Sequence, residues 1–286
     1  MKKIIIILTL SLIMGPVFAQ DESAGPEPVT GTFITTSLID NHTITSPYKG
    51  GLEMLIHHRF SLIENIKNLY GIYGAANTRM GLNYGVTDRL MIGAGTTKDY
   101  KLQDIQWKYA ILQQTADNSM PVSLSYYGNM VLDARGDENF GPEASYRFIH
   151  RVSYFTQLIV ARKMGEKLSL QVAPSLAYFN SVPVYSDSTG YKNLNLGLSA
   201  GGRYNVVGNH SLLFEYDQLL TGQDLTDEEH PKPNLSLGWE INTGTHAFQI
   251  FVANYSNIIN QYNLLYNTND FADGEFLVGF NITVRF

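Results

Sequence analysis

The chain is predicted to be all-β, a transmembrane antiparallel up-and-down β-barrel of about 12 strands with short turns at one rim and longer loops at the other. Three observations carry that expectation. Segments of near-spanning length alternate apolar and polar residues along most of the chain, their connections alternate short and long, and the last strand has one wholly apolar face. In that strand Phe276, Val278, Phe280, Ile282, Val284 and Phe286 fall on one face, and Leu277, Gly279, Asn281, Thr283 and Arg285 on the other. A side-chain period of two sets the first face against lipid and the second against a wet lumen.

The alternating segments are residues 51–60, 77–86, 89–97, 102–113, 120–132, 147–162, 168–179, 194–204, 210–220, 234–242, 246–254 and 275–286. In one of them Leu168, Leu170, Val172, Leu176 and Tyr178 oppose Ser169, Gln171, Ala173, Ser175 and Ala177. Short turns are expected at 87–88, around 117–118, and at 164–167, 207–209 and 243–245. Longer loops are expected at 61–76, 133–146, 180–193, 221–233 and 255–274, and only 98–101 breaks the alternation. In bacterial barrels the short turns are periplasmic, and an even strand number returns both ends of the barrel to that side. Residues 32–38 also read as a strand, which would spoil the parity. Residues 20–50 are therefore placed at the periplasmic mouth or inside the lumen as a partial plug, with about 14 strands as the alternative.

The N-terminus predicts the compartment. Met1-Lys2-Lys3, the apolar run 4–14 and Val17-Phe18-Ala19 form the three parts of a secretory signal peptide, residues 1–19. Residues 21–28 are acidic and proline-bearing and read as a flexible leader. The chain has no cysteine, which excludes a disulfide framework, thiolate metal sites and a cysteine nucleophile. It has 18 Tyr and 14 Phe and is 16% charged, fewer charges than the roughly 25% of soluble domains, as a lipid-facing surface requires. The net charge of −6, which becomes −8 when Lys2 and Lys3 leave with the signal, argues against a nucleic-acid partner.

Several short motifs occur in order along the chain: His58-Arg59-Phe60, Leu69-Tyr70-Gly71, the run 81–85 followed by Thr87-Asp88-Arg89-Leu90, Lys108-Tyr109, Ala161-Arg162-Lys163 and Thr245-His246-Ala247-Phe248. Through them the chain resembles an outer-membrane β-barrel family of unknown function that is widespread in Bacteroidota. The resemblance covers most of the chain after the signal. It implies fold and location and transfers no catalytic residue.

If the alternation holds, the inward face carries Glu53, His57, Arg59, Arg79, Asp104, Lys108, Arg151, Gln171, Arg203, Glu215, Asp217, Glu240 and Arg285. Both signs are present in similar number. Eight-strand barrels are filled by side chains and sixteen-strand porins hold a water channel, so about 12 strands is intermediate. Two readings stay open: a paired charge network across a narrow lumen, or opposed charge rows that select a solute. Gly93, Gly95, Gly197, Gly201 and Gly202 lie in strands, where small residues let the backbone bend or leave lumen space.

Two segments have helical rather than strand spacing: Leu62, Ile63, Ile66, Leu69 and Tyr70, and Ile258, Ile259, Tyr262, Leu265 and Tyr266. They lie in the first and last long loops, which are neighbours in a closed barrel. Their apolar faces are expected to meet above the seam or to form a docking surface. Acidic clusters at Asp224, Asp227, Glu228, Glu229 and His230, and at Asn267, Asn269, Asp270, Asp273 and Glu275, lack calcium-loop spacing and read as solvated loops. No catalytic or metal residue is assigned. The available serine–histidine pairs, His150 with Ser153 and His210 with Ser211, point to opposite faces of a strand.

The expected function is that of a narrow outer-membrane channel or transporter for small solutes, without a cofactor. The alternative is a closed-lumen barrel that serves as a structural or docking subunit of an envelope complex; an outer-membrane hydrolase is a minor alternative. Expected partners are outer-membrane lipid, the barrel assembly machinery through Phe280, Ile282, Val284 and Phe286, and an envelope protein at loops 61–76 and 255–274. No nucleic acid is expected.

Overall fold

A computed structural model describes residues 26–63, 66–69, 71–183, 190–226 and 229–286. The expected signal peptide, residues 21–25 of the leader, and Tyr70, Asp227 and Glu228 lie outside the described residues. The alternating segments form twelve strands: β1 (Leu52–Leu62), β2 (Asn77–Gly85), β3 (Leu90–Thr97), β4 (Leu102–Leu112), β5 (Ser123–Asp133), β6 (Val152–Met164), β7 (Leu168–Phe179), β8 (Leu194–Val207), β9 (His210–Leu219), β10 (Asn234–Asn242), β11 (His246–Ala253) and β12 (Leu277–Arg285). Each pairs antiparallel with its neighbours in sequence, and β12 returns to β1, with registers from Glu53↔Arg285 to Leu62↔Leu277. The sheet has no free edge, so every strand finds its backbone partners without water. The fourteen-strand alternative does not occur.

Exposure along the strands is the inverse of a water-soluble protein. In β4 the polar Asp104, Gln106 and Lys108 are buried, while Ile105, Tyr109 and Ile111 face outward. In β11 and β10 the outward residues include Ile250, Val252 and Leu237. A continuous apolar exterior around a polar interior is the arrangement a bilayer imposes on a barrel. Tyr84, Tyr109, Tyr178, Tyr204, Tyr216 and Phe286 are exposed on this surface, and Trp107 and Trp239 are half-buried. Among the described residues no helix is long and apolar enough to cross a membrane.

The short turns gather at one rim. Gly208 in the β8–β9 turn (φ 54°) and Gly244 in the β10–β11 turn (φ 84°) occupy the left-handed backbone region that tight hairpins demand and glycine adopts without strain. The long connections gather at the other rim, joined there by the short 98–101 connection. Below, these are the short-turn rim and the long-loop rim.

Residues 32–38 do not add a strand. Residues 26–50 enter at the short-turn rim, where Val29 N donates to Gln114 O (2.7 Å), and leave it where Gly50 N donates to Gly85 O (2.7 Å). Between these points the chain forms a hairpin inside the barrel, with a single bridge at Ser37↔His42. Threonine hydroxyls tie its arms together in place of a ladder: Thr43 Oγ1 donates to Thr35 O (2.7 Å) and Thr45 Oγ1 to Phe33 O (3.0 Å). Residues 32–43, apart from the half-buried Ile34, are buried. Phe33, Leu38 and Ile39 pack with Leu213, Phe251, Tyr255 and Leu277 of the barrel.

The two loop helices differ from expectation. Among its described residues the first long loop has a single 3-10 turn, Ile66–Asn68, and β1 runs on to take up Leu62. The last long loop does form a helix, α1 (Asn260–Tyr266), but it descends into the lumen. There Ile259, Tyr262, Leu264 and Leu265 pack on Tyr127, Phe155, Ile159 and Phe179. Its apolar face therefore meets the inner wall and not the first loop.

Candidate functional site

The lumen brings together most of the chemistry-bearing side chains that the sequence singles out, and it is filled from both ends. At its centre, three consecutive N–H groups at the hairpin tip, Ile39, Asp40 and Asn41, donate to the Glu215 carboxylate of β9 at 3.1, 2.9 and 3.0 Å. Such a row of amides forms a concave anion cradle, and here it grips a wall residue. Asn41 Nδ2 donates to Asp217 two positions along the same strand (2.6 Å).

The hairpin is held on its other sides by cations from the wall. Arg59 of β1 lies 3.6 Å from the Asp40 carboxylate, donates to Asn281 of β12 (2.9 Å), and stacks over the Phe251 ring at 4.5 Å. Lys108 of β4 donates to the carbonyls of Thr36, Thr43 (2.8 Å) and Thr45, so its ammonium is solvated by hairpin backbone in place of water. Arg285 donates to Ile34 O (2.6 Å) and lies 3.6 Å from Glu53, whose carboxylate also accepts from Thr36. Gln171 donates to His42 O (3.0 Å), and the His42 ring stacks on Tyr127 at 3.8 Å. Burial holds the His42 imidazole well below its ordinary range, with Lys108 and Arg79 adding to the effect. Burial likewise pushes the Asp40 carboxyl up to about 7, against the opposing pull of Arg59 and of its hydrogen bond with Asn263.

Two further pairs brace the wall itself. Arg79 of β2 reaches Asp104 of β4 through two bonds of 3.0 and 2.6 Å. It crosses β3 to do so, and Gly95 clears the path: a Cβ there would lie 2.4 Å from the guanidinium. Arg203 of β8 donates to Glu240 of β10 at 2.9 Å, and Glu240 also accepts from Gln249 (3.1 Å) and, at 3.4 Å, from Thr35 of the hairpin. His57 is buried between its register partners Arg79 and Asn281.

Eleven of the sequence-predicted lumen charges thus share one interior. Arg151 does not. It lies just before β6, at the long-loop rim, where it bonds Asp137, Tyr146 Oη and backbone carbonyls of 133 and 135. The strand begins at Val152, so alternation counted from residue 147 carries no orientation there. Phe280, Ile282 and Val284 lie on the outward face of β12, and Phe286 is exposed at its end.

The interior also contains residues that the sequence did not single out. From the long-loop rim, α1 brings Asn263 to the Asp40 carboxylate at 2.7 Å and Gln261 to Asn129 at 2.9 Å. The inner wall makes room for both inserts at glycines. A Cβ at Gly201 would lie 2.8 Å from Leu38 Cδ1 of the hairpin, and one at Gly197 would lie 2.8 Å from Leu264 of α1. A signal was available, because Asn260, Gln261 and Asn263 give the helix a polar side made of amides without charge, which suits a buried polar wall better than solvent. A cavity of about 10 Å³ lies between hairpin tip and helix, lined by Asp40, Asn41, Asp217, Asn234 and Asn260 among others.

The serine–histidine pairs do not form. His210 Nδ1 accepts from Trp239 Nε1 (3.1 Å) while Ser211 is buried on the inner face, and Ser153 receives Gln261 inside the lumen. Among the described residues no three acidic or histidine side chains converge as metal ligands; Asp224 pairs with Lys192 (3.8 Å) and Asp270 with Lys232 (3.5 Å).

Two solved structures share the architecture. The NanC porin is 8% identical, with 82% of this chain and 98% of that chain covered and a TM-score of 0.54. The COG4313 outer membrane channel from Pseudomonas putida F1 is 13% identical, with 85% and 97% covered and a TM-score of 0.50. At such identities the likeness establishes the fold alone. No curated protein sequence matches the chain. A family model described as a membrane bound beta barrel domain (DUF5777) matches residues 33–286, beginning inside the lumenal hairpin and running through the closing strand. The chain therefore belongs to the DUF5777 family of membrane-bound β-barrel domains.

Proposed function

We propose that this protein is an outer-membrane channel for small solutes that rests closed, with the N-terminal hairpin as its gate. The observation that carries the reading is the way the hairpin is held. Its tip and arms meet the wall through Glu215, Asp217, Lys108, Arg285 and Gln171, all of which are groups that water could solvate equally well. A wall built only for permanent filling would be expected to present apolar side chains, because buried charges cost free energy unless paired. A polar wall remains compatible with a wet lumen once the hairpin leaves.

In this reading the short-turn rim, with both ends of the barrel, faces the periplasm, and the long-loop rim faces outward. The segment 1–19 is removed on export, and the apolar face of β12 ending in Phe286 is what the barrel assembly machinery meets. The porin and channel likenesses are consistent with a lumen of this kind but carry no solute with them. The second reading is a permanently closed barrel with a structural or docking role, favoured by the void of only about 10 Å³ and by the helix that fills the other end.

Planar-bilayer recording of the wild type and of a variant lacking residues 32–45 separates the two. The channel reading predicts a mostly silent wild type and stable unit conductance from the variant. A variant that retains the heat-dependent gel mobility of a folded barrel yet stays silent supports the closed scaffold.

A further inference from the structure

Above the point where α1 seals the lumen, the long-loop rim encloses a second cavity, of about 430 Å³. That volume lies within the roughly 300–1,000 Å³ range of small-molecule sites, whereas the void below α1 is too small for any solute. Its floor and one side are aromatic. Phe179 meets Tyr262 and Tyr266 of α1 edge-to-face at 5.3 and 5.5 Å, so the three rings brace one another in fixed orientations. Phe140, from the β5–β6 loop, also lines the space, with the Arg151 guanidinium 5.0 Å from its ring.

The charges at this cavity are already neutralised. Arg135 holds the Asp133 carboxylate through Nε and Nη2, the shortest bond 2.7 Å, and Arg151 pairs with Asp137. Two cations matched by two anions leave no surplus for capturing an ionic solute. Besides the tyrosine hydroxyls and Ser153, which is taken by Gln261, the cavity presents Asn139, Ser181 and His150, donors and acceptors of the kind that hydroxyl groups satisfy. Aromatic faces attract the weakly positive C–H face of a saturated ring by the same quadrupole that orders aromatic pairs.

We propose that this cavity is a binding site for a neutral polyhydroxylated ring, a hexose or a disaccharide, set between the half-buried rings of Phe140 and Tyr266 above the buried Tyr262 that supports them, and hydrogen-bonded at its edge by Asn139, Ser181 and His150. The proposal extends the channel reading by naming a solute class. Its test is made on the closed wild-type barrel and does not depend on conductance.

The full chain, folded in lipid nanodiscs, is titrated with glucose, with maltose, and with sodium benzoate as an anionic ring without hydroxyls, and binding is read by saturation-transfer NMR. Saturable binding of either sugar across the millimolar range, weakened about tenfold or more by Tyr262→Ala and by Phe140→Ala, is the expected result. Phe140 lies in a loop away from the barrel interior, so its variant tests the site even if Tyr262→Ala disturbs α1. Tyr109→Ala, on the lipid face, leaves binding unchanged. Absence of saturable sugar binding by the folded protein, binding of benzoate alone, or sugar binding indifferent to both cavity variants overturns the proposal. The channel reading fails separately, by silence of the hairpin-deleted barrel.

Discussion

Asn263, on the helix that descends from the long-loop rim, donates its amide to the carboxylate of Asp40, at the tip of the hairpin that rises from the short-turn rim, at 2.7 Å. This bond joins two inserts that reach the middle of the lumen from opposite ends. Asn263→Leu replaces the donor with an apolar group of similar size and leaves the buried carboxylate with Arg59 as its remaining partner from the barrel wall. The loss of a hydrogen bond to a buried acceptor costs about 1–3 kcal/mol. Hairpin release, followed as single-channel opening frequency, should rise by roughly fivefold or more, and a frequency equal to the wild type's would show that the two inserts are not coupled.

Glu215 is the acceptor for three hairpin amides, and Glu215→Gln keeps its shape while removing the charge. Charge-assisted bonds are about twice as strong as neutral ones, so the tip should loosen while the wall keeps its packing. Native-state hydrogen exchange is the direct measure. Protection at Ile39, Asp40 and Asn41 should fall by an amount equivalent to about 1–3 kcal/mol, while amides of β9 and β10 keep theirs.

Gly201 acts by absence, since a side chain there would occupy the place of Leu38. Gly201→Leu should expel the hairpin without unfolding the barrel. Limited proteolysis is expected to cleave within residues 32–45 in this variant and spare the wild type, with heat-dependent gel mobility retained in both. Resistance equal to the wild type's would mean that the wall can yield around the new side chain.

Two titrating groups on the hairpin work in opposite directions. Asp40, with its carboxyl pushed up to about 7 by burial beside Asp217 and against Arg59 and Arg79, favours the seated hairpin when protonated. Its contribution is complete below the ordinary carboxylate range and is lost as pH rises through about 7. His42 is held neutral, so its contribution is present above the ordinary histidine range and is lost as pH falls below it. Relative to the wild type, Asp40→Asn should therefore tilt the profile toward seating that strengthens with rising pH, and His42→Gln toward seating that weakens with it. Opening frequency recorded as a function of pH in the wild type and both variants checks the signs, and displacements from the wild-type profile in the same direction would contradict the assignment.

The barrel was legible because a bilayer imposes a period-two pattern that survives reading one strand at a time. The wall of β9 reads Ser211, Leu213, Glu215 and Asp217 inward from alternation alone, and β7 and β10 keep the boundaries that alternation assigned. The filling of the lumen was not legible in the same way. The hairpin obeys no period, since its arms are tied by Thr35, Thr43 and Thr45 through hydroxyl–backbone bonds, and its tip is set by Glu215, 175 positions away from Asp40 in sequence. The spacing of Ile258, Ile259, Tyr262 and Leu265 disclosed a helix and its apolar face, but not which surface that face would meet. That depended on Gly197 leaving space for Leu264 on a distant strand. Arg151 was misplaced for a simpler reason: a short 3-10 turn, Phe148–Arg151, precedes β6 and breaks the alternation.

The central claim is that the hairpin closes the lumen and can leave it. The chain has no cysteine, so the pair Leu38→Cys and Gly201→Cys places two thiols alone in the protein, at positions already in contact across the hairpin–wall interface. Channel openings of this double variant should be absent under oxidising conditions, where the disulfide locks the hairpin to β8, and return on addition of reductant at a frequency no lower than the rare openings of the wild type. Conductance that persists with the disulfide formed, or that never appears after reduction in a correctly folded barrel, would contradict the account.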